Sequence, residues 1–291
     1  KKTDYKEIKT LSFLPICHVF ERVVYLYYLY SGFSIYFAEN IDKIGDNMKE
    51  VKPHYMSVVP RLLEKVYDKI YNKGISAGGL KKIIFLWALG VNKNYEPGTP
   101  KNLKQRIADR LVFSKWREGL GGNIITLISG SAALSKNLNK KFQAAGIPII
   151  EGYGLTETSP VIAVNSFEKM KIGSVGQPLD NLDVKIDKDG EILVKGPSVM
   201  KGYYKNPEQT KEAFSEDGYF KTGDIGYIDD EGFLIITDRK KEMFKTSGGK
   251  YIAPQVIENM AQQYADVLSA HAARAPLQWF NFYNFWNNPH G

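Results

Sequence analysis

The sequence has one cysteine, Cys17, in 291 residues. No internal disulfide can form, and a reducing, cytoplasmic setting is the expectation. There are only four histidines, His18, His54, His271 and His290, and they are scattered. With one cysteine beside them, no His/Cys set has metal-ligand spacing, which argues against a zinc-type site. Long apolar runs are also missing. The longest, Val23 to Ala38, is broken by Ser31, Gly32 and Ser34 and falls short of the ~20 residues a membrane span needs. That stretch reads instead as buried core, or as a shallow peripheral contact with the inner face of a membrane. Blocks of like charge are absent. The net charge is +7, but the lysines are spread along the chain, so no tract reads as a nucleic-acid or membrane patch. Lys1-Lys2-Thr3-Asp4-Tyr5-Lys6 does not have the pattern of a signal peptide. Internal repeats and low-complexity tracts are likewise lacking.

What is present is an ordinary soluble composition, 43% hydrophobic and 24% charged, with enough chain for one large domain or two modest ones. Tyr25, Tyr27, Tyr28 and Tyr30 are too closely spaced to share one face of a strand, so their segment is expected to be buried on both faces or to line a pocket. Val59, Leu62, Leu63, Val66 and Ile70 recur at three- and four-residue spacing, which predicts an amphipathic helix that starts near Pro60 and ends near Gly74. Residues 123–155 read as a βαβ unit. It comprises the apolar run Asn123 to Ser129, the small-residue loop Gly130-Ser131-Ala132-Ala133, a helix marked by Leu138, Phe142 and Ala145 that stops at Gly146, and a strand from Ile147 to Ile150. Ligands on such sheets sit at the carboxyl ends of strands, so the loops 129–133 and 152–158 are candidate site loops. From about Lys171 the pattern turns to short strands with Asp189-Gly190 and Glu231-Gly232 turns, a small β-rich subdomain.

Generic motifs fail on inspection. Ser247-Gly248-Gly249-Lys250 hints at a P-loop, but Phe244 and Tyr251 stand where Gly and Ser/Thr are required. In Gly152-Tyr153-Gly154, Glu157 occupies the third glycine position of a dinucleotide fingerprint. The segment Gly152-Tyr153-Gly154-Leu155-Thr156-Glu157-Thr158-Ser159-Pro160 is more specific. A ring to stack on a base, hydroxyls for phosphate oxygens and a carboxylate for Mg²⁺ stand together in a glycine-flanked loop. Alone, a Gly-Tyr-Gly turn is more often structural. Downstream, however, come Tyr219-Phe220-Lys221-Thr222-Gly223-Asp224, then Thr237-Asp238-Arg239-Lys240-Lys241-Glu242, then Ser247 to Ile252.

The four segments in this order resemble the adenylate-forming (AMP-binding) superfamily, from about residue 11 to about 259. Leu14 to Arg22 and Val51 to Val66 are similar to its long-chain fatty acid–CoA ligase branch. The resemblance implies an α/β fold, mostly parallel sheet flanked by helices, with a small β-rich subdomain. It implies a ligase that activates a fatty acid with ATP and Mg²⁺ to an acyl-adenylate and passes the acyl group to CoA. Two alternatives stand beside it: an adenylating ligase for an acyl carrier protein or an aryl acid, and a catalytically silent nucleotide- or acyl-binding fragment. By resemblance, Tyr153 stacks on adenine, with Gly152 and Gly154 flanking it. Thr156 meets the α-phosphate, and Glu157 holds Mg²⁺. Gly130, Ser131 and Ala132 line adenine and the acyl carbonyl. Asp224 takes the ribose hydroxyls, and Arg239 is a second ribose and phosphate contact. Lys241 is the interdomain hinge, Gly248 and Gly249 approach the pantetheine of CoA, and His18 lies beside the acyl pocket, with a packed core histidine as its alternative.

The expected organisation is an α/β part over 1–168, a β-rich part over 169–237, a hinge over 238–259 and an unmatched aromatic tail over 260–291. The tail faintly resembles the C-terminus of lipid-A-type acyltransferases. The superfamily's phosphate loop and C-terminal domain have no counterpart in the sequence, so a fragment inactive by itself is expected.

Overall fold

The computed structural model describes residues 7–92, 95, 98–240, 244–245 and 251–252. Its larger sheet grows from short β-rich runs separated by helices. β1 (Lys9–Ser12), α1 (Val19–Tyr30), β2 (Ser34–Phe37), α2 (Ile44–Val51), β3 (Tyr55–Val58), α3 (Pro60–Ser76), α4 (Gly79–Val91), α5 (Leu103–Ala108), a π-helical turn at Asp109–Phe113 and α6 (Ser114–Gly119) come first. Then follow β4 (Thr126–Ser129), α7 (Lys136–Ala144), β5 (Ile149–Gly154), a 3₁₀ turn at Thr156–Thr158, β6 (Val161–Val164) and β7 (Gln177–Pro178). The strand order is β2-β1-β3-β4-β5-β6-β7. The first five strands are parallel, and β6 and β7 run antiparallel at the end of the sheet. Parallel strands need helical crossovers, and here helices supply the covering layer. Leu11, Met56, Leu127 and Ile149 from the strands pack with Leu63, Phe85, Trp116 and Phe142 from the helices in the main core.

A second sheet comprises β8 (Asp183–Ile186), β9 (Glu191–Lys195), β10 (Phe220–Ile228) and β11 (Leu234–Arg239), with α8 (Pro207–Ala213) between β9 and β10. It is antiparallel, in the order β11-β10-β9-β8. The segment ahead of β7 joins the two sheets: Val175 N donates to Leu234 O at 3.0 Å, and Leu234 N donates to Gly176 O at 2.8 Å. Gly176 has φ +95°, and a Cβ there would lie 1.9 Å from the Val164 carbonyl carbon. Only glycine allows the chain to pass that close. β12 (Phe244–Lys245) and β13 (Tyr251–Ile252) form a separate antiparallel pair.

The expected βαβ unit is present, with later strand starts at Thr126 and Ile149. Ile147 is used instead to close α7: its N–H bonds Phe142 O at 3.0 Å while Gly146 N bonds Gln143 O at 2.9 Å. This is the paired C-terminal capping pattern that a left-handed glycine permits, and Gly146 has φ +73°.

One expectation holds with an added role, and one needs correction. α3 starts at Pro60 and ends at Ser76, two residues past Gly74. A Cβ at Gly74 would sit 2.5 Å from the Phe85 ring, so the glycine serves the close packing of α4 on α3. The tyrosine-rich segment is a helix, not a doubly buried run. Tyr28 is fully buried, whereas Leu26, Tyr27, Leu29 and Tyr30 are exposed, Tyr30 at 93%. At 100° per residue only one of these neighbours can face the core. Among the described residues, no helix is long and apolar enough to cross a membrane.

Candidate nucleotide-binding site

Two loops at the carboxyl ends of the parallel strands and one wall of the antiparallel sheet frame the candidate site. The first follows β4. Gly130 is buried, and a Cβ on it would come 3.0 Å from the Phe20 ring. Ser131 has φ +67°, a left-handed conformation that is strained for a residue with a side chain and concentrates at ligand sites. Ser131 and Ala132 are exposed. His18 is the N-cap of α1, its Nδ1 accepting from Phe20 N at 3.2 Å. It is exposed, so the packed-core alternative does not hold. In the structure it is Phe20, next but one to His18, that packs against Gly130.

The second loop follows β5. A Cβ on Gly154 would meet Pro160 O at 1.7 Å, so the chain folds back on itself here only because the residue is glycine. Leu155 N bonds Pro160 O at 3.2 Å. Thr158 is fully buried and holds the turn, accepting from Leu155 N at 3.0 Å and donating to Pro160 O. The two hydroxyls of this loop therefore differ in role. Thr158 is consumed by the fold, while Thr156 is exposed and bonds through its carbonyl, which accepts from Ser159 N at 3.3 Å. Glu157 is half-buried. One carboxylate oxygen accepts from Tyr203 Oη at 3.0 Å, and among the described residues no cationic side chain pairs with it.

The third wall is the antiparallel sheet. Asp224, on β10, is 5% exposed and lies directly opposite Arg239 on β11. Arg239 Nε is 3.5 Å from Asp224 Oδ1, and the arginine side chain remains 64% exposed. Tyr153 Oη donates to Asp224 Oδ2 at 2.6 Å. Burial, together with the neighbouring Asp224 charge, pushes the Tyr153 phenol well up, so it stays a donor. The Tyr153 ring also packs with Leu155, Leu182 and Val194 under the second sheet.

Asp224 is braced from behind. Gly223 N donates to Glu191 at 2.9 Å, Asp224 N to Thr222 Oγ1 at 3.1 Å, and Lys240 N to Gly223 O at 2.8 Å. Lys240 Nζ meets both Glu191 and Asp189 at 2.6 Å. Glu191 and Tyr203 escape a reading by motif, because each is a charged or polar residue in a strand or loop of no special spacing; Lys240 lies within a motif segment but takes no role in it from sequence alone. Lys241, Gly248 and Gly249, and the tail 260–291, lie outside the described residues.

One buried acid lies beneath both loops of the large sheet. Glu151 precedes Gly152 and pairs in register with Ser129. Burial pushes its carboxyl up to about 7, against a lowering hydrogen bond from Asn139 Nδ2 at 2.7 Å. An acid held neutral by the fold contributes stability that is full below its unfolded value of 4.5 and is lost as the pH rises through about 7. At about 1.4 kcal/mol per unit the loss amounts to roughly 3 kcal/mol. Glu21, also raised by burial, adds to the same trend. Chemical unfolding of wild type and Glu151→Gln at about pH 5 and about pH 8 checks this. The wild type is expected to lose clearly more stability than the variant over that interval; parallel profiles would remove Glu151 as the cause.

The parallel sheet with its two loops, and the antiparallel sheet beside them, define an α/β domain with a candidate ligand site at the carboxyl ends of the parallel strands. The chain belongs to the AMP-binding enzyme family, whose model matches residues 2–204. It is 39% identical to the long-chain-fatty-acid–CoA ligase FadD15 of Mycobacterium bovis over 88% of this chain and 43% of that protein. It is 37% identical to long-chain-fatty-acid–CoA ligase 5 of Rattus norvegicus over 93% of this chain and 41% of that protein. Among solved structures, apo MatB from Rhodopseudomonas palustris aligns with a TM-score of 0.60 at 26% identity, over 85% of this chain and 43% of MatB. The o-succinylbenzoate CoA synthetase of Bacillus subtilis, solved with its acyl-adenylate, aligns with a TM-score of 0.61 at 24% identity, over 87% of this chain and 45% of that one, and shares the fold. The chain thus spans less than half the length of these relatives.

Proposed function

We propose that the protein acts as an AMP-forming long-chain fatty acid–CoA ligase, with ATP, a fatty acid and CoA as substrates. The observation that carries the reading is the 2.6 Å bond from Tyr153 to Asp224. It joins the loop that carries Thr156 and Glu157 to the strand pair that carries Asp224 and Arg239, so all four can address one nucleotide. The exposed Thr156 hydroxyl is placed to donate to a phosphate oxygen. Asp224 is an acceptor for ribose hydroxyls, beside the exposed Arg239 guanidinium, and Ser131 and Ala132 offer backbone and little bulk to the base and acyl carbonyl. No protein nucleophile is required, since the carboxylate substrate attacks the α-phosphorus itself and pyrophosphate leaves; the side chains position the reactants and stabilise charge.

A Mg²⁺ ion suits Glu157, whose half-exposed carboxylate has one oxygen bonded to Tyr203 and no competing cation among the described residues. Mg²⁺ is held by one or two carboxylates plus substrate phosphates, and its chemical contribution is to withdraw charge from those phosphates. The exposed Leu26, Tyr27, Leu29 and Tyr30 of α1 support peripheral contact with a membrane surface, where acyl chains are collected, without spanning it. Lys241 as hinge, and Gly248 and Gly249 beside pantetheine, belong to the same reading.

The test is carboxylate-dependent exchange of pyrophosphate into ATP by the full-length protein. Palmitate is expected to support exchange far better than an aryl acid, and CoA is expected to convert the adenylate to palmitoyl-CoA. Exchange driven by aryl acids and indifferent to palmitate would overturn the substrate class.

A further inference from the structure

The stretch Gly196 to Thr210 carries no role so far, yet its main chain docks on Glu157. Met200 N donates to the Glu157 carbonyl at 2.7 Å, and three residues later Tyr203 Oη donates to the Glu157 carboxylate at 3.0 Å. Tyr203 is in turn held at its backbone, where its N–H bonds Thr210 Oγ1 at 2.9 Å, and Thr210 bonds Asn206 O at 2.7 Å. Asn206 caps α8, its side chain accepting from Gln209 N at 3.1 Å. Gly202 admits this approach, since a Cβ there would stand 2.6 Å from the Thr210 methyl. The capped helix thus fixes Thr210, Thr210 fixes the Tyr203 backbone, and the phenol fixes one oxygen of Glu157.

We infer that Tyr203 is a positioning residue for the divalent cation: its hydroxyl orients the Glu157 carboxylate and leaves the second oxygen to the metal. The inference rests on the reading of Glu157 as the cation carboxylate. A flexible glutamate must lose side-chain rotamers to hold an ion, and a phenol bond on one oxygen removes part of that freedom beforehand. The bond is a neutral donor to a charged acceptor, the stronger kind. Removing the Tyr203 hydroxyl leaves the Met200 bond to the Glu157 carbonyl in place, so metal-free binding of the nucleoside end is not expected to depend on that hydroxyl.

The experiment uses Mn²⁺ as the probe ion, followed by water-proton relaxation in the presence of ATP, on the full-length protein. Wild type, Tyr203→Phe and Glu157→Gln are compared, with AMP binding in EDTA measured alongside. Loss of one hydrogen bond to a charged group predicts about tenfold or more weaker Mn²⁺ binding in Tyr203→Phe, with AMP affinity in EDTA unchanged. Glu157→Gln is expected to weaken Mn²⁺ further. If Glu157→Gln weakens the ion and Tyr203→Phe does not, the positioning role is overturned while the metal role of Glu157 stands. If Glu157→Gln leaves Mn²⁺ affinity as it was, the underlying reading fails instead. If Tyr203→Phe weakens AMP in EDTA as much as Mn²⁺, Tyr203 supports the fold and not the ion.

Discussion

Replacing Glu157 by Gln in the full-length protein is expected to lower the rate of acyl-adenylate formation by at least about 10²-fold, the usual loss for one preorganised electrostatic contributor. The substitution is nearly isosteric. The amide oxygen can still accept from Tyr203 Oη, which the carboxylate does at 3.0 Å, and the carbonyl still accepts from Met200 N. The fold around the loop should therefore stay intact, and what is lost is the charge. A neutral amide is a poor ligand for a hard divalent cation, and raising Mg²⁺ is expected to restore part of the rate. The measurement is single-turnover adenylate formation over a Mg²⁺ series. A rate equal to wild type at saturating Mg²⁺ would remove Glu157 from the site.

Asp224→Ala is expected to weaken AMP binding about tenfold or more, since hydrogen bonds to a charged group contribute about 1.5–3 kcal/mol each. The ribose hydroxyls are unchanged during adenylate formation, so the loss belongs to binding more than to the chemical step. The structure adds a complication. Asp224 also receives the Tyr153 phenol at 2.6 Å and faces Arg239 at 3.5 Å, so deletion strands a buried phenol and lowers stability as well. Asp224→Asn keeps an acceptor for Tyr153 and separates the two effects. With this variant, AMP affinity should fall, while an analogue lacking both ribose hydroxyls should bind variant and wild type about equally. Equal loss for both ligands would leave Thr222-Gly223-Asp224 as a structural turn, consistent with the Asp224 N–H bond to Thr222 Oγ1.

The motif segments could be picked out in the chain because each satisfies a local rule. Gly154 and Gly146 are needed for backbone reasons that leave a trace in composition. The βαβ unit shows itself through an apolar run, a small-residue loop and a helix stop. Where the reading was incomplete, one local signal had two structural uses. Gly74 stands near the end of α3, and its second use, close packing, shows only in the Phe85 ring arriving from α4. The tyrosine run fits neither a strand nor a helix face cleanly, because Leu26, Tyr27, Leu29 and Tyr30 leave apolar surface of α1 exposed.

From the sequence by itself came the family, the order of the parallel and antiparallel parts, and the residue types suited to ribose, phosphate and cation. Each segment that carries them obeys local rules of sterics and chemistry, and their order along the chain does the rest. Tertiary structure alone decided which of those residues meet. Tyr153 and Asp224 are 71 residues apart, and Glu157 and Tyr203 are 46 apart. Thr156 and Thr158 read alike until the turn at Pro160 takes one hydroxyl and leaves the other. Glu151 reads as an ordinary acid until burial raises its carboxyl to about 7. Pairing across such distances, and the desolvation of a single carboxyl, depend on how sheets and loops pack in three dimensions, and the linear order of residues does not carry that information.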